Sequence, residues 1–205
     1  MTTDPLLKYR EQHKHRLNYM PWLYWSLKPK HREWAEAWQA EYQAYLMEME
    51  TIEIGKNCFI SPLAHIFAER GRKISIGDNT FIAADCTLHG PLEIGNEVAI
   101  NHHSILDGGR AGIKLHDQVR IAAYSHLYAF DHGMDLHRPI YQQAVTSKGI
   151  EIGRDVWLGA HVGIKDGVKI GHHAVVGMNS MVTKNIEDFA IVAGNPARLI
   201  RYRTE

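Results

Sequence analysis

The sequence predicts an all-β protein made of stacked coils, with three short strands in each coil. Two observations support this: an aliphatic residue recurs at every sixth position in four blocks, and glycine often follows it. A six-residue period fits neither an amphipathic helix nor an alternating strand. It fits a triangular coil in which each strand points one aliphatic side chain into a shared core. The positions are Ile54, Ile60, Ile66, Ile76, Ile82, Leu88, Ile94, Ile100, Leu106, Leu115, Ile121, Leu127, Ile152, Leu158, Ile164, Ile170, Val176 and Val182.

Six such coils account for the eighteen aliphatic positions. Stacked coils form hydrogen bonds through parallel strands, so stability accumulates from coil to coil. The alternative is coincidence or an ordinary sandwich of short strands, and eighteen residues in phase disfavour it. The repeat is interrupted near residues 67–73, 107–112 and 128–149. The third interruption is long and too aromatic for disorder, and long insertions on a rigid scaffold are usually functional.

Residues 1–50 lack the six-residue period and form a predicted N-terminal helical segment. Apolar and aromatic residues there fall at helical spacing and predict an amphipathic helix whose aromatic face caps the first coil and a neighbouring subunit. They are Trp34, Trp38, Tyr42, Tyr45, Leu46 and Met49. A membrane-surface role is the alternative, and the opposite face is not basic enough to favour it. The preceding "YMPWLYWSLKP" predicts a short helix or a loop. The β-helix domain is predicted over residues 51–190, with an extended loop at 128–149, and residues 191–205 form a C-terminal tail.

Composition excludes several classes of protein. The 205 residues carry 23 Lys and Arg against 23 Asp and Glu, so neither disorder nor a broad nucleic-acid-binding face is expected. No apolar run is long enough to span a bilayer. Cys58 and Cys86 lie far apart and no charged-then-apolar leader opens the chain, so a cytoplasmic protein is expected.

The motifs "IEIGRDVWLGAHVGIKDGVKIG", "VTKNI" and "VAGNPARLIR" resemble the hexapeptide-repeat acyltransferases, in the branch of maltose, galactoside and nodulation-factor O-acetyltransferases. The resemblance covers roughly residues 52–203. It implies a left-handed parallel β-helix, an exception to the usual right-handed crossover. It also implies a homotrimer that binds acetyl-coenzyme A between subunits, transfers acetyl groups to a hydroxyl of a sugar or similar acceptor, and needs no metal.

The resemblance places the general base at His132, in the "FDH" of the extended loop. Imidazole suits this role because its unperturbed pKa of about 6.5 lets it accept a hydroxyl proton near neutral pH. His126 and His137 are the competing histidines. His126 immediately precedes a regular coil position, Leu127, and His137 lies past the turn. Because neither cysteine lies at the loop, direct transfer without an acyl-enzyme is expected.

The resemblance also implies positions for the acceptor and the coenzyme. Asn101 would contact the acceptor, or would instead satisfy its own turn backbone. Trp157 would lie near the acceptor, or would simply pack on a coil face. Residues implied in coenzyme binding are Ala160 and Met178 along the pantetheine arm, Thr183 and Lys184 at the adenine end, and Arg198 and Arg201 at the phosphates. One departure is "GMNS", where relatives usually have small residues in place of the bulkier Met178 and Asn179.

Two other functions fit the same predicted fold. A metal-dependent carbonic anhydrase of the gamma class would use His89 and His102 as ligands, but the position of its third histidine holds Asp107, and Phe67 replaces an expected arginine. A catalytically silent binding scaffold is the other possibility, since fold alone does not determine function. The anhydrase does not need the long loop that carries His132.

Overall fold

A computed structural model describes residues 5–204 and arranges three β-sheets, parallel except for the last strand of the second sheet, around a triangular prism. The chain is a left-handed parallel β-helix of about six turns, as predicted. The first three coils are β1 (Ile52–Ile54), β2 (Phe59–Ile60) and β3 (His65–Phe67); β4 (Ile74–Ile76), β5 (Phe81–Ile82) and β6 (Thr87–His89); and β7 (Leu92–Ile94), β8 (Ala99–Ile100) and β9 (Ile105–Asp107). The fourth is β10 (Ile113–Leu115), β11 (Arg120–Ile121) and β12 (His126–Tyr128).

A hairpin then separates the fourth coil from the last two coils. It consists of β13 (Asp131–His132), a short 3₁₀ helix (Ile140–Gln142) and β14 (Val145–Thr146). The remaining coils are β15 (Ile150–Ile152), β16 (Trp157–Leu158) and β17 (Gly163–Ile164), followed by β18 (Lys169–Ile170), β19 (Val175–Val176) and β20 (Met181–Val182). The chain ends in β21 (Ala190–Ala193) and β22 (Arg198–Tyr202).

The strand register stacks the aliphatic positions that the period predicts. Ile60 pairs with Ile82, and Ile82 with Ile100, in the second sheet, which contains β2, β5, β8, β11, β16, β19, β21 and β22. All eighteen predicted core residues are buried except Ile54, which is half-buried at the end of the prism. Burial of apolar surface stabilises a domain by roughly 25 cal/mol per Å², so this ladder is the main source of stability.

The glycines that follow the aliphatic residues are required by the tight stacking of the coils. A Cβ at Gly77 would lie 2.6 Å from the carbonyl carbon of Gly95 in the next coil, and one at Gly159 would lie 2.7 Å from the backbone nitrogen of Met178. Distances this short are not tolerated between backbone and Cβ atoms, so only glycine fits.

The N-terminal segment contains α1 (Pro5–Tyr19), a 3₁₀ helix (Pro21–Ser26) and α2 (Pro29–Met49). The amphipathic helix predicted from the aromatic spacing is confirmed as α2. Trp38 packs edge-on against Phe59 of the first coil, with ring centroids 5.8 Å apart, and Leu46 is buried in the main core. The expected packing face is only partly covered within the chain, because Tyr45 and Met49 are exposed.

Helix α2 also supplies hydrogen-bond partners for backbone groups at the open edge of the first coil. The Gln39 amide donates to the Ile60 carbonyl at 3.1 Å and accepts from the Ile60 N–H at 2.8 Å. Gln43 donates to the Cys58 carbonyl at 2.9 Å. An unpaired strand edge invites pairing with another chain, so these glutamines complete the hydrogen bonding of β2.

Helix α1 is tied to the corner between the second and third sheets. The Ser61 hydroxyl donates to the Asn18 side chain at 3.0 Å, Ala84 N–H donates to the Asn18 carbonyl at 2.7 Å, and the Tyr19 hydroxyl donates to Asp85 at 2.9 Å. The sequence period did not indicate this helix as a separate element. Among the helices of residues 5–204, none has an apolar stretch long enough to cross a bilayer.

The predicted C-terminal tail contains β22 and most of β21, so the second sheet continues beyond the last complete coil. β21 pairs in parallel with β19, and β22 folds back antiparallel on β21. Arg203 then anchors the chain end by donating to Asp155 at 3.2 Å and to the His173 carbonyl at 3.0 Å.

Candidate active site

The three interruptions of the repeat lie at one corner of the prism. They follow β3, β9 and β12, which are all strands of the third sheet and lie in register. Each interruption therefore leaves the prism at the corner between the third and first sheets. Segments that are far apart in the sequence meet there because the coils place equivalent residues on top of one another.

A cavity of about 290 Å³ lies at this corner and receives residues from all three interruptions. Arg72 comes from the first, Asp107 and Arg110 come from the second, and Phe130 and Ser147 come from the third. The cavity therefore exists because the interruptions coincide. Its remaining lining residues are His89, Gly109 and Val145.

A polar network organises the floor of this cavity. The His89 ring lies between two carboxylates, with Nδ1 3.4 Å from Asp107 and Nε2 3.2 Å from Glu69. Arg72 contacts Glu69 at 3.2 Å and donates to the carbonyl oxygens of Gly90 at 2.9 Å and Gly109 at 2.6 Å. Arg72 thus ties the first interruption to the second and holds the carboxylate that faces His89.

The extended loop is a hairpin with defined internal hydrogen bonds. β13 and β14 pair antiparallel, with His132 opposite Val145. Gln143 closes the loop by accepting from Asp135 N–H at 2.8 Å and donating to the carbonyl oxygens of Asp135 and Arg138. At the base of the hairpin, Asp131 forms an ion pair with Lys165 of the fifth coil at 3.0 Å. The loop is therefore attached to the coils rather than free.

His132 lies on this hairpin with an exposed imidazole. Its ring contacts the edge of Phe130, with centroids 6.2 Å apart, and Phe130 lines the cavity. Within residues 5–204, no side chain forms a hydrogen bond with the His132 ring. His126 is exposed on β12 opposite Gly163, and His137 is exposed beyond the hairpin strands.

Asn101 and Trp157 lie elsewhere on the prism. The Asn101 side-chain amide donates to the Ile121 carbonyl at 2.8 Å. Asn101 therefore pairs with a backbone group, as in the second alternative, but this group belongs to the next coil and not to its own turn. Trp157 points outward from the second sheet between Arg120 and Val175, and 54% of its surface is exposed. It is therefore not a buried packing residue within this chain.

The residues implied in coenzyme binding fall into two groups. Ala160 and Met178 occupy the same corner in successive coils, joined by a hydrogen bond of 2.9 Å from Asn179 N–H to the Ala160 carbonyl. The Gly194–Pro196 turn packs beside them, because Met181 N–H donates to the Gly194 carbonyl at 3.0 Å. This brings the start of β22, and with it Arg198, to that corner.

Thr183 and Lys184 lie at the opposite end of β20, at the corner that carries the interruptions. Arg201 lies farther along β22, opposite Ile191. Both Arg198 and Arg201 are exposed, and their guanidinium groups contact only backbone carbonyls among the described residues. They are therefore available to bind phosphate groups.

The two histidines of the anhydrase alternative have different surroundings. Both nitrogens of His89 face carboxylates. His102 lies at the corner between the second and third sheets, where its ring contacts Tyr19, His103 and Tyr124, and burial lowers its pKa. In the described part of the chain, no group of three or more His, Cys, Asp or Glu residues is arranged to hold a metal ion.

Arg72, Glu69 and Ser147 were not identified from the sequence. The Ser147 hydroxyl accepts from the N–H groups of Arg110 and Ala111 and donates to the Ala129 carbonyl at 2.5 Å, so it joins the second and third interruptions. The sequence did contain a signal for these residues, which is the place of each interruption within its coil. Each interruption follows the third aliphatic residue of a coil, which places all of them at one corner.

Comparisons with known proteins identify the repeat. Residues 149–184 match the family model described as bacterial transferase hexapeptide (six repeats), and residues 73–101 match the hexapeptide repeat of succinyl-transferase. A probable acetyltransferase of Mycobacterium tuberculosis is 32% identical over 136 residues, covering 66% of this chain but only 44% of that protein. The galactoside O-acetyltransferase of Escherichia coli is 28% identical over 165 residues, covering 80% and 70% of the two chains.

Several solved structures to which this chain is similar are also acyltransferases. An N-acyltransferase from Bacillus cereus in complex with dTDP and 3-hydroxybutyryl-CoA is 32% identical with a TM-score of 0.70, covering 79% of this chain and 88% of that chain. A hexapeptide-repeat acetyltransferase from Vibrio cholerae in complex with acetyl-coenzyme A is 26% identical with a TM-score of 0.60, covering 96% and 86%. The fold, the repeat and these relatives agree, and the chain belongs to the hexapeptide-repeat acyltransferase family.

Proposed function

We propose that this protein transfers the acetyl group of acetyl-coenzyme A to a hydroxyl of a sugar or a similar small acceptor. The observation that carries the proposal is the polar cavity formed by the three interruptions, with the His132 hairpin contributing Phe130 and Val145 to its wall. The acyl-coenzyme A complexes of the solved relatives support the donor. The galactoside relative supports a sugar hydroxyl as acceptor.

In the proposed mechanism His132 accepts the proton of the acceptor hydroxyl, and the oxygen attacks the thioester carbonyl carbon. The C–S bond then breaks, and the imidazolium returns the proton to the departing thiolate, so His132 ends unchanged. General-base catalysis of this kind contributes about 10²- to 10⁴-fold. A backbone N–H beside the coenzyme would stabilise the oxyanion.

The two cysteines are poor candidates for an acyl-enzyme. Both thiols are buried, and burial raises the pKa of Cys86 to about 12 and also raises that of Cys58. A thiolate is the reactive form of cysteine, so direct transfer within a ternary complex is the simpler mechanism.

We further propose that Ala160, Met178, Thr183, Lys184, Arg198 and Arg201 bind the coenzyme, and that Asn101 and Trp157 contact the acceptor. These residues occupy separate corners and faces of one prism, so a homotrimer that brings faces of neighbouring subunits together would assemble them. The hairpin tip supports assembly, because Met134, Leu136, Ile140 and Tyr141 are all exposed. A cytoplasmic location remains a prediction.

A screen of acceptors for free-thiol release from acetyl-coenzyme A tests the proposal. Sugar hydroxyls, amino sugars and hydroxyl-bearing antibiotics form three arms of the screen, and light scattering on the same sample gives the subunit number. Turnover with hydroxyl acceptors supports the proposal. Turnover with amines alone would contradict O-acetylation. A protein that neither turns over any acceptor nor binds the coenzyme would favour a silent scaffold.

A further inference from the structure

The charges of the N-terminal segment are strongly segregated. Residues 5–32 contain seven Lys or Arg and a single acidic residue, Glu11, although the whole chain is balanced. Segregation of charge in one segment of a neutral protein indicates an anionic partner for that segment. The prism and its acyl-transfer site do not account for it.

A cavity of about 370 Å³ lies between α1, the following 3₁₀ helix and the start of α2. Its floor is apolar and consists of Leu17, which is buried, and Leu23 and Leu27, which are half-buried. Its rim is cationic and its lining includes no carboxylate. The rim residues are His13, Arg16, Lys28, Lys30 and His31.

The rim cations have no partners of their own within residues 5–204. Arg16, Lys28 and Lys30 form no ion pair and no side-chain hydrogen bond there, whereas nearby Lys14 pairs with Glu11 at 3.0 Å and Arg32 donates to the Trp25 carbonyl at 3.1 Å. Lys14 and Arg32 are therefore satisfied by the chain, whereas Arg16, Lys28 and Lys30, which line the cavity, are not.

The two rim histidines lie against each other, with ring centroids 4.5 Å apart. Burial lowers the pKa of His13, and the neighbouring His31, Arg16 and Lys30 lower it further. A bound anion at the rim would offset the positive charge that Arg16 and Lys30 place beside the His13 ring. The arrangement thus combines a site for negative charge with an adjoining apolar surface.

We propose that this cavity binds a phosphorylated amphiphile, with the phosphate at the cationic rim and the adjoining apolar group on the leucine floor. Arg16 offers a planar fork for two phosphate oxygens, and Lys28 and Lys30 supply point charges. The amphiphile could be free in solution or be a lipid headgroup at a membrane surface. The site is separate from the acyl-transfer site, so either proposal can fail without the other.

Calorimetric titration of the full chain with octyl phosphate below its micelle concentration tests the site. We expect binding to the wild-type protein and a loss of about 100-fold in the double variant Arg16→Gln/Lys30→Gln, since each charge-assisted contact contributes about tenfold or more. The double variant Lys8→Gln/Arg10→Gln removes the same charge from α1 outside the cavity and should retain wild-type affinity. Thermal melting checks that both variants are folded.

Inorganic phosphate and vesicles form the other arms. Inorganic phosphate should bind at least tenfold more weakly than octyl phosphate, and equal affinity would overturn the assignment of the leucine floor. If the protein sediments with phosphatidylglycerol vesicles and only the cavity variant fails to do so, the site is supported and its ligand is a lipid headgroup. Octyl phosphate binding without sedimentation would support it with a free ligand. No binding of octyl phosphate, or equal loss in both variants, would overturn the proposal.

Discussion

Replacing His132 with alanine should remove activity while leaving the fold intact. The imidazole is exposed, and among the described residues it has no hydrogen-bond partner and no ring contact other than Phe130. The hairpin is held by backbone pairing, by the Gly133 N–H to Ala144 carbonyl bond of 3.2 Å and by the Asp131–Lys165 ion pair, none of which the substitution removes. We expect stability to change by no more than about 0.5 kcal/mol and kcat to fall by about 10²-fold or more.

The assay is steady-state thiol release at saturating acetyl-coenzyme A, with thermal melting of the same samples. His126→Ala and His137→Ala are matched controls, because both histidines are exposed and lie near the same loop, and each should retain most of its activity. Normal turnover by His132→Ala, or loss of activity in His137→Ala alone, would refute the assignment. A large loss of stability in His132→Ala would show that the ring has a structural role.

Three further predictions concern the coenzyme, pH and metal. Arg198→Ala and Arg201→Ala should raise KM for acetyl-coenzyme A several-fold with little change in kcat at saturation, and unchanged KM in both would contradict the phosphate role. A hydrogen bond from His173, followed by one from Arg203, lowers the pKa of Asp155 below its ordinary 3.8. This carboxylate therefore stabilises the folded protein above about pH 4, and the stabilisation is lost as the pH falls through its lowered pKa. In the acid range, the melting temperature of Asp155→Asn should therefore depend less on pH than that of the wild type. Activity should survive dialysis against a chelator, and loss restored only by zinc or iron would revive a metal mechanism.

The location of the candidate site shows how much the sequence could predict. The extended loop could be located because it interrupts a strict period, and the family resemblance then placed the predicted base at His132 within it. The other residues of the site could not, because Arg72 lies in a distant interruption, and both Arg72 and Ser147, which is within the loop itself, look like ordinary loop residues. Only the stacking of coils brings them together, through the Arg72 bond to Gly109 and the Ser147 bonds to the second interruption.

The N-terminal segment shows the same contrast between features that local sequence patterns predict and contacts that only the folded structure reveals. The helical spacing of aromatic residues predicts α2, because an amphipathic pattern is local. It does not predict that Gln39 completes the edge of β2, that Tyr45 is exposed, or that α1 is fixed by Asn18 and Tyr19 on a corner of the prism. Those contacts join residues far apart in the chain, so no local pattern records them.

The sequence by itself determined the β-helix, since a six-residue aliphatic period with glycine at the corners has one simple packing solution. It also determined where that period stops, and the family resemblance supplied the histidine that lies there. The tertiary structure decided which of the fourteen histidines share an environment. It also decided that three separate interruptions form one cavity and that three cations without a partner among residues 5–204 line another. The physical reason is that a repeat encodes each coil through local spacing, whereas a site depends on distances between coils, which exist only once the coils are stacked.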